Sequence, residues 1–418
     1  MAAATWALFL GILLLMLGNA LQGALVGVRS EQEGFSLLAT GLIMASYFAG
    51  FLVGSRYATH LLAEVGHIRV FAALASTGSA AVLAHTMLVS VWSWTIMRFV
   101  FGVCMAGIYV VAESWLNDMA TNETRGRLLS VYMVVTMGAF AAGQFLLNLA
   151  DTSSHVLFVL SSVLVSLSLV PISLSSSSAP PINLPQHMSV KELAAIVPTG
   201  LITSFLVGTA AGALMGMAPV YASRVGMSKG DLTAFLAAPM AGAVLAQWPI
   251  GWLSDRVSRR GVLLGVSLAA SLVSLGPFLV DEADPALVGF MFLLGALIFP
   301  LYSLSVAYTN DWLARERIVG ASGVLIRVNG TGAIIGPLVA AFLMSRIEPR
   351  MLFLTISVGH ALIAVSVTWR ILVIEALGVE QQRKYTPFPA RGGVLAARLL
   401  PRRQRDGRDI EPHRRRDK

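Results

Sequence analysis

The sequence predicts an all-α membrane protein in which twelve transmembrane helices form two pseudo-symmetric six-helix bundles. Three observations carry that expectation. Of the 418 residues, 56% are hydrophobic and only 12% charged, with a mean hydropathy of +0.74, whereas a water-soluble domain carries roughly a quarter charged residues. The apolar residues fall into twelve runs long enough to cross a bilayer. The two halves of the chain also repeat each other at a constant spacing.

A hydrocarbon core about 30 Å thick needs about 20 apolar residues per helix. Runs of that length cover residues 5–28, 36–58, 68–89, 92–117, 127–150 and 155–176, then 194–222, 232–253, 261–280, 286–309, 321–344 and 351–376. Between the sixth and seventh lies Ser175-Ser-Ser-Ser-Ala-Pro-Pro-Ile-Asn-Leu-Pro185, a Ser/Pro-rich stretch that cannot hold a helix and reads as a linker. The expected organisation is a first bundle over 1–176, a cytoplasmic linker over 177–193, a second bundle over 194–377 and a basic, disordered tail over 378–418. Asn117-Asp118 recurs as Asn310-Asp311, Tyr109 as Tyr302, Gly102 as Gly295, Gly143 as Gly336 and Gly23 as Gly216, each pair 193 residues apart, which is the trace of an internal duplication.

The formal charge of +8 does not indicate nucleic-acid binding, because 12 of the 30 Lys and Arg lie after residue 377. That tail either lies on anionic lipid headgroups or is simply solvated. Loops after even-numbered helices, with the linker, hold Arg56, Arg69, Arg125, Arg127, Lys191, Arg256, Arg259, Arg260, Arg315 and Arg317; those after odd-numbered helices hold Arg29, Arg224, Lys229, Arg346 and Arg350. The excess puts the first set, and both termini, in the cytoplasm. The apolar amino terminus lacks a basic leader and reads as a retained first span. A single cysteine, Cys104, excludes an internal disulfide framework and a multi-cysteine metal site. No nucleotide loop or zinc pattern supports an enzyme, and no cofactor is expected.

The tightest cluster of charge is Gly251-Trp-Leu-Ser-Asp255-Arg256-Val-Ser-Arg259-Arg260, a turn between two apolar runs. It resembles the loop signature of the major facilitator superfamily, although Ser258 stands where that pattern has Gly. The resemblance extends over residues 5–376, and the stretches around Glu113-Ser-Trp-Leu-Asn and Pro300-Leu-Tyr-Ser look like a YcaD-like bacterial branch. It implies two bundles rocking about a central site with alternating access. It also implies a gating latch in which Asp255, Arg256, Arg259 and Arg260 face the positive start of the fifth helix, opened by Arg125-Gly126-Arg127; the bland alternative is that these cations only fix topology. In the first half Thr59-His-Leu-Leu-Ala63-Glu64-Val-Gly66-His67 occupies the equivalent place with Ala63 at the acid position, so the latch is expected to be stronger in the second half.

In the fourth helix Arg98, Gly102, Tyr109 and Glu113 fall within about 60° of one another at about 100° per residue. An arginine in hydrocarbon usually faces a cavity or a partner; the alternative for Arg98 is snorkelling to the outer surface. Arg98-Phe-Val-Phe-Gly102 resembles the fourth-helix motif of the family, which implies a part in proton coupling and substrate binding. Glu113, about 22 Å further along, is either a second coupling group or a partner of loop arginines. Arg327 and Asn329 of the eleventh helix point about 200° apart, leaving Arg327 as a second anion contact or a snorkelling cation. Gln144, Gln247, Trp248 and Tyr47 are further polar groups in the spans. The resemblance gives the first, fourth, seventh and tenth helices the central path, ranking Asn19, Gln22, Arg98, Tyr109, Tyr302 and Ser303 highest.

The expected function is secondary active or facilitative transport of a small organic solute, anionic or zwitterionic if Arg98 and Arg327 face it, with protons as the coupling partner, by a monomer in the bacterial inner membrane. Alternatives are proton-driven efflux of amphipathic compounds, suggested by the Met and Phe content, and a solute-binding membrane sensor.

Overall fold

Backbone N–H and C=O groups in a bilayer have no water to bond, so an apolar run of this length satisfies them internally as helix. The computed structural model describes residues 2–121, 124–174, 188–375 and 377–388; the side chains of residues 2–5, Asp118, Arg125 and Arg315 also lie outside what is described. Among the described residues twelve helices are long and apolar enough to cross a membrane: α1 (Trp6–Gln32), α2 (Leu37–Val65), α3 (His67–Met87), α4 (Val91–Asn117), α5 (Arg127–Leu149), α6 (Val156–Ser173), α7 (Pro198–Arg224), α8 (Lys229–Ser254), α9 (Arg259–Leu279), α10 (Ala286–Asp311), α11 (Ile318–Arg346) and α12 (Met351–Val373). They form the two six-helix bundles that the repeat implies.

Element ends differ from the sequence expectation where local chemistry overrides hydropathy. Helix α2 runs on from 58 to Val65, which leaves Arg56 well inside it and not in the following loop, and it stops where Gly66 takes a φ of 90°, a conformation glycine adopts at little cost. The run expected to start at 194 is two helices. A short one, Val190–Ile196, is closed by a reciprocal cap between Ser189 and Glu192; Val197 then leaves helical geometry and Pro198 opens α7, as its fixed φ and missing N–H allow.

The duplication is visible as packing. A Cβ on Gly102 of α4 would collide with the Tyr47 carbonyl of α2, and one on Gly295 of α10 with the Pro239 carbonyl of α8. Likewise Gly143 of α5 lies on Leu17 and Ala20 of α1, while Gly336 of α11 lies on Thr209 and Ala213 of α7. Small residues let these helices approach backbone to backbone.

The halves meet along α2–α11, α5–α8 and α1–α7. Their polar links gather at the end away from the Asp255–Arg260 turn, here called the outer end. Asn148 Nδ2 donates to Thr233 Oγ1 at 3.1 Å, Lys229 Nζ donates to the Ala150 carbonyl at 3.2 Å, and Arg224 pairs with Glu31 at 3.5 Å. There Gly41 packs on Pro337 and Ala341, and Gly27 on Pro219. The opposite end, bearing the turn, is the basic end.

One boundary needs correction. Residues 378–388, expected to belong to a disordered tail, instead fold back against the second bundle with Tyr385 and Phe388 buried. Residues 389–418 of that tail, and 175–187 around the linker, lie outside the described residues.

Candidate functional site

Between the halves lies a cavity of about 110 Å³ walled by α2, α4, α5, α7, α8, α10 and α11. Aromatic rings (Tyr47, Phe51, Tyr109, Tyr132, Phe140, Phe299) and thioethers (Met133, Met137, Met215, Met240) make most of its surface, and among the described residues no charged side chain lines it. The rings contact one another, Tyr47 and Phe51 at 6.3 Å and Phe51 and Tyr109 at 5.7 Å between centroids. The Tyr47 and Tyr132 hydroxyls are buried without a hydrogen-bond partner. Met133 and Met137 continue into a vestibule of about 830 Å³ between α5 and α8 at the basic end, edged by Asp255 and Arg256. The path is therefore shut at the outer end and entered from the basic end.

Of the candidate solute contacts, Tyr47 and Tyr109 line the cavity. Arg98 does not. It is buried, ruling out snorkelling, donates from Nη1 to Gln22 Oε1, and holds its guanidinium 4.7 Å from the centre of the Tyr47 ring. Asn19 and Gln22 are buried in the first bundle, off the cavity wall. Gln144 borders a separate gap of about 30 Å³. Gln247, Tyr302 and Ser303 face the segment after α12: Gln247 Nε2 donates to Ser303 Oγ at 3.0 Å and to Tyr385 Oη at 2.6 Å, and the Tyr302 and Phe388 rings stand 6.1 Å apart. Trp248 is exposed on the vestibule. Arg327 is exposed and reaches the Met188 carbonyl at 3.4 Å; Asn329, on the other side of α11, lines the cavity. Glu113 is fully buried.

The sequence model of the Major Facilitator Superfamily matches residues 8–236 and again 200–404. The chain belongs to the major facilitator superfamily. The MFS-type transporter YcaD of Escherichia fergusonii is 28% identical over 353 residues, covering 83% of this chain and 90% of the relative, and that of Salmonella arizonae is 29% identical over 356 residues, covering 84% and 91%. In fold it is similar to the nucleoside transporter NupG in a mutant form, with a TM-score of 0.74 at 13% identity over 88% of this chain and 99% of that one. The facilitator is thus a multi-pass membrane transporter and not an enzyme; no group of metal-ligating side chains occurs among its described residues.

The facilitator signature turn differs from its expected role in this state. Asp255 Oδ1 accepts from Arg259 Nη2 at 3.2 Å and from the Tyr385 N–H at 2.6 Å, both on its own half. Arg259 is buried and donates to Asp311 Oδ2 at 2.6 Å, which makes Asp311 of the duplicated Asn-Asp pair the partner of a loop cation. Arg260 donates to the Ile374 and Arg370 carbonyls at the end of α12, where the helix dipole favours a cation. Arg256 stacks on Trp252 at 3.7 Å. Arg127 is exposed, and the side chain of Arg125 lies outside the described residues. Among the described residues no hydrogen bond joins Asp255 to the start of α5, and the vestibule lies between them. In the first-half turn Glu64 is exposed, and His67 bonds Ser114 Oγ at 2.8 Å.

Sequence reasoning missed the α5 wall, Tyr132 included, and the anchors Tyr385 and Phe388. Burial pushes the Tyr385 phenol well above the usual tyrosine range, so it stays protonated. The only sequence trace of that anchor is two aromatic residues in a stretch otherwise rich in cations and prolines.

Proposed function

We propose that the protein carries an amphipathic, uncharged organic solute by alternating access, which favours the efflux-type alternative over an anion carrier. One observation carries the reading: the cavity is an aromatic and thioether box whose polar groups include the unpartnered hydroxyls of Tyr47 and Tyr132. Flat apolar surface stacks on such rings, and a few placed hydroxyls orient the polar end. An anion would lose its hydration and meet no cation on the wall, since Arg98 is engaged with Gln22 and the Tyr47 ring. The ten-to-five bias of loop cations supports a cytoplasmic basic end in the bacterial inner membrane. Glu113, buried on the α4 face that presents Tyr109, is the group we assign to proton coupling.

Two measurements test this. A thermal-shift screen in detergent should raise Tm with neutral aromatic amphiphiles, since a ligand at about a hundred times its Kd stabilises by about 2.7 kcal/mol, and Tyr47→Phe with Tyr132→Phe should lose most of that rise. Stabilisation by benzoate or succinate alone would reject the reading. In proteoliposomes, flux of the compound so identified should respond to an imposed pH gradient, and Glu113→Gln should abolish that response.

A further inference from the structure

The segment Gln382–Phe388 follows the last span and has no part in the transport reading. It lies in the basic-end vestibule, bonded along its length to the second half. The Arg383 N–H donates to Asp311 Oδ1 at 2.7 Å, and its carbonyl accepts from Arg259 Nη2 at 2.6 Å. The Tyr385 N–H donates to Asp255 Oδ1 at 2.6 Å. Ser303 Oγ accepts from the Phe388 N–H at 3.0 Å and donates to the Phe388 carbonyl at 2.9 Å. Two buried rings anchor the strap: Tyr385 lies so close to Gly251 that any Cβ there would strike it, and Phe388 is 1% exposed.

The other side of the strap faces the first half. Gln382 to Tyr385 and Pro387 share the vestibule with Ser130, Met133, Val134 and Met137 of α5. Closing the basic end requires α5 to approach α8 across that space, and the strap occupies it. The strap also takes the signature carboxylate, Asp255, which edges the same vestibule as the α5 residues. We propose that Gln382–Phe388 is an autoinhibitory wedge: while docked it keeps the transporter open at the basic end, and its release is a required step of closure. The competing possibility is a passive strap that moves with the second half and leaves the two-state equilibrium unchanged.

The test reads conformation and needs no solute. Spin labels are placed at His60, near the basic end of α2, and Val257, beyond α8, in a Cys104→Ser background, and distances are measured by double electron–electron resonance in nanodiscs. The intact chain should give a dominant long-distance population and a minor shorter one. A chain ending at Gln381 should raise the ratio of short to long distances about tenfold, equivalent to about 1.4 kcal/mol of released bias. Tyr385→Ala with Phe388→Ala, which removes both anchors and keeps the backbone, should give the same shift, and it decides the matter if the truncated chain does not fold. Distance distributions that match the intact chain, or that move to longer values, would overturn the wedge.

Discussion

Gly102 and Gly295 are where the internal duplication becomes a steric requirement. Each is pressed on a backbone carbonyl of the neighbouring helix, Tyr47 and Pro239 respectively, and a carbonyl cannot rotate away as a side-chain tip can. Gly102→Ala and Gly295→Ala should therefore each cost at least about 1–3 kcal/mol, the usual range for overpacking, read as a lowered Tm in detergent. Gly265→Ala is the control, because a Cβ there meets nothing within 4 Å; it should leave Tm unchanged or slightly higher, since alanine is the better helix former. Equal losses at all three positions would mean that the cost is backbone flexibility and not close approach. The 193-residue spacing made the two critical glycines legible in the sequence, because identical packing constraints had preserved identical residues in both halves.

At the scale of elements, α4 shows where such reading stops. The angular argument puts Arg98, Tyr109 and Glu113 on one side of the helix, yet Tyr109 reaches the cavity whereas Arg98 is spent on Gln22 and the Tyr47 ring. Sharing a face does not fix what stands in front of it. Arg98→Ala should lower Tm by leaving Gln22 buried without its donor, at a cost of about 1–3 kcal/mol, while the relative flux of anionic and neutral compounds stays the same; a selective loss of anion flux would return Arg98 to the solute site. Arg98→Lys should restore little, because a point charge does not reproduce the planar contact with the ring. The spans themselves were legible since each must be about 20 apolar residues long. The α5 wall was not, because an apolar residue that faces lipid and one that faces an aromatic cavity look alike in composition. The strap was hidden for the opposite reason: a tail rich in Arg and Pro reads as disorder, and the groove that holds Tyr385 and Phe388 is assembled from Gly251, Asp255, Ser303 and Asp311, residues spread over two helices.

For the whole molecule the question is what holds the outer end shut while the basic end is open. Among the described residues, links that cross between the halves there join Asn148 to Thr233, Lys229 to the Ala150 carbonyl, and Arg224 to Glu31. The last is half-exposed, with Arg224 at 42% and Glu31 at 26%, so it is worth about 1 kcal/mol, and each neutral or half-exposed hydrogen bond adds about the same. None alone is a lock, but they act on one equilibrium, and a bias of about 1.4 kcal/mol is a tenfold change in population. Combining Asn148→Ala, Lys229→Ala and Arg224→Ala should thus raise the outer-open population by roughly one order of magnitude, with little change in Tm, because the bundles themselves are untouched. Spin labels at Ser153 and Ser345, one on each half at the outer end, should report it as a new longer distance. Apolar contacts such as Gly41 on Pro337 and Gly27 on Pro219 remain in that variant, so an unchanged distribution would assign outer closure to helix packing rather than to the polar links.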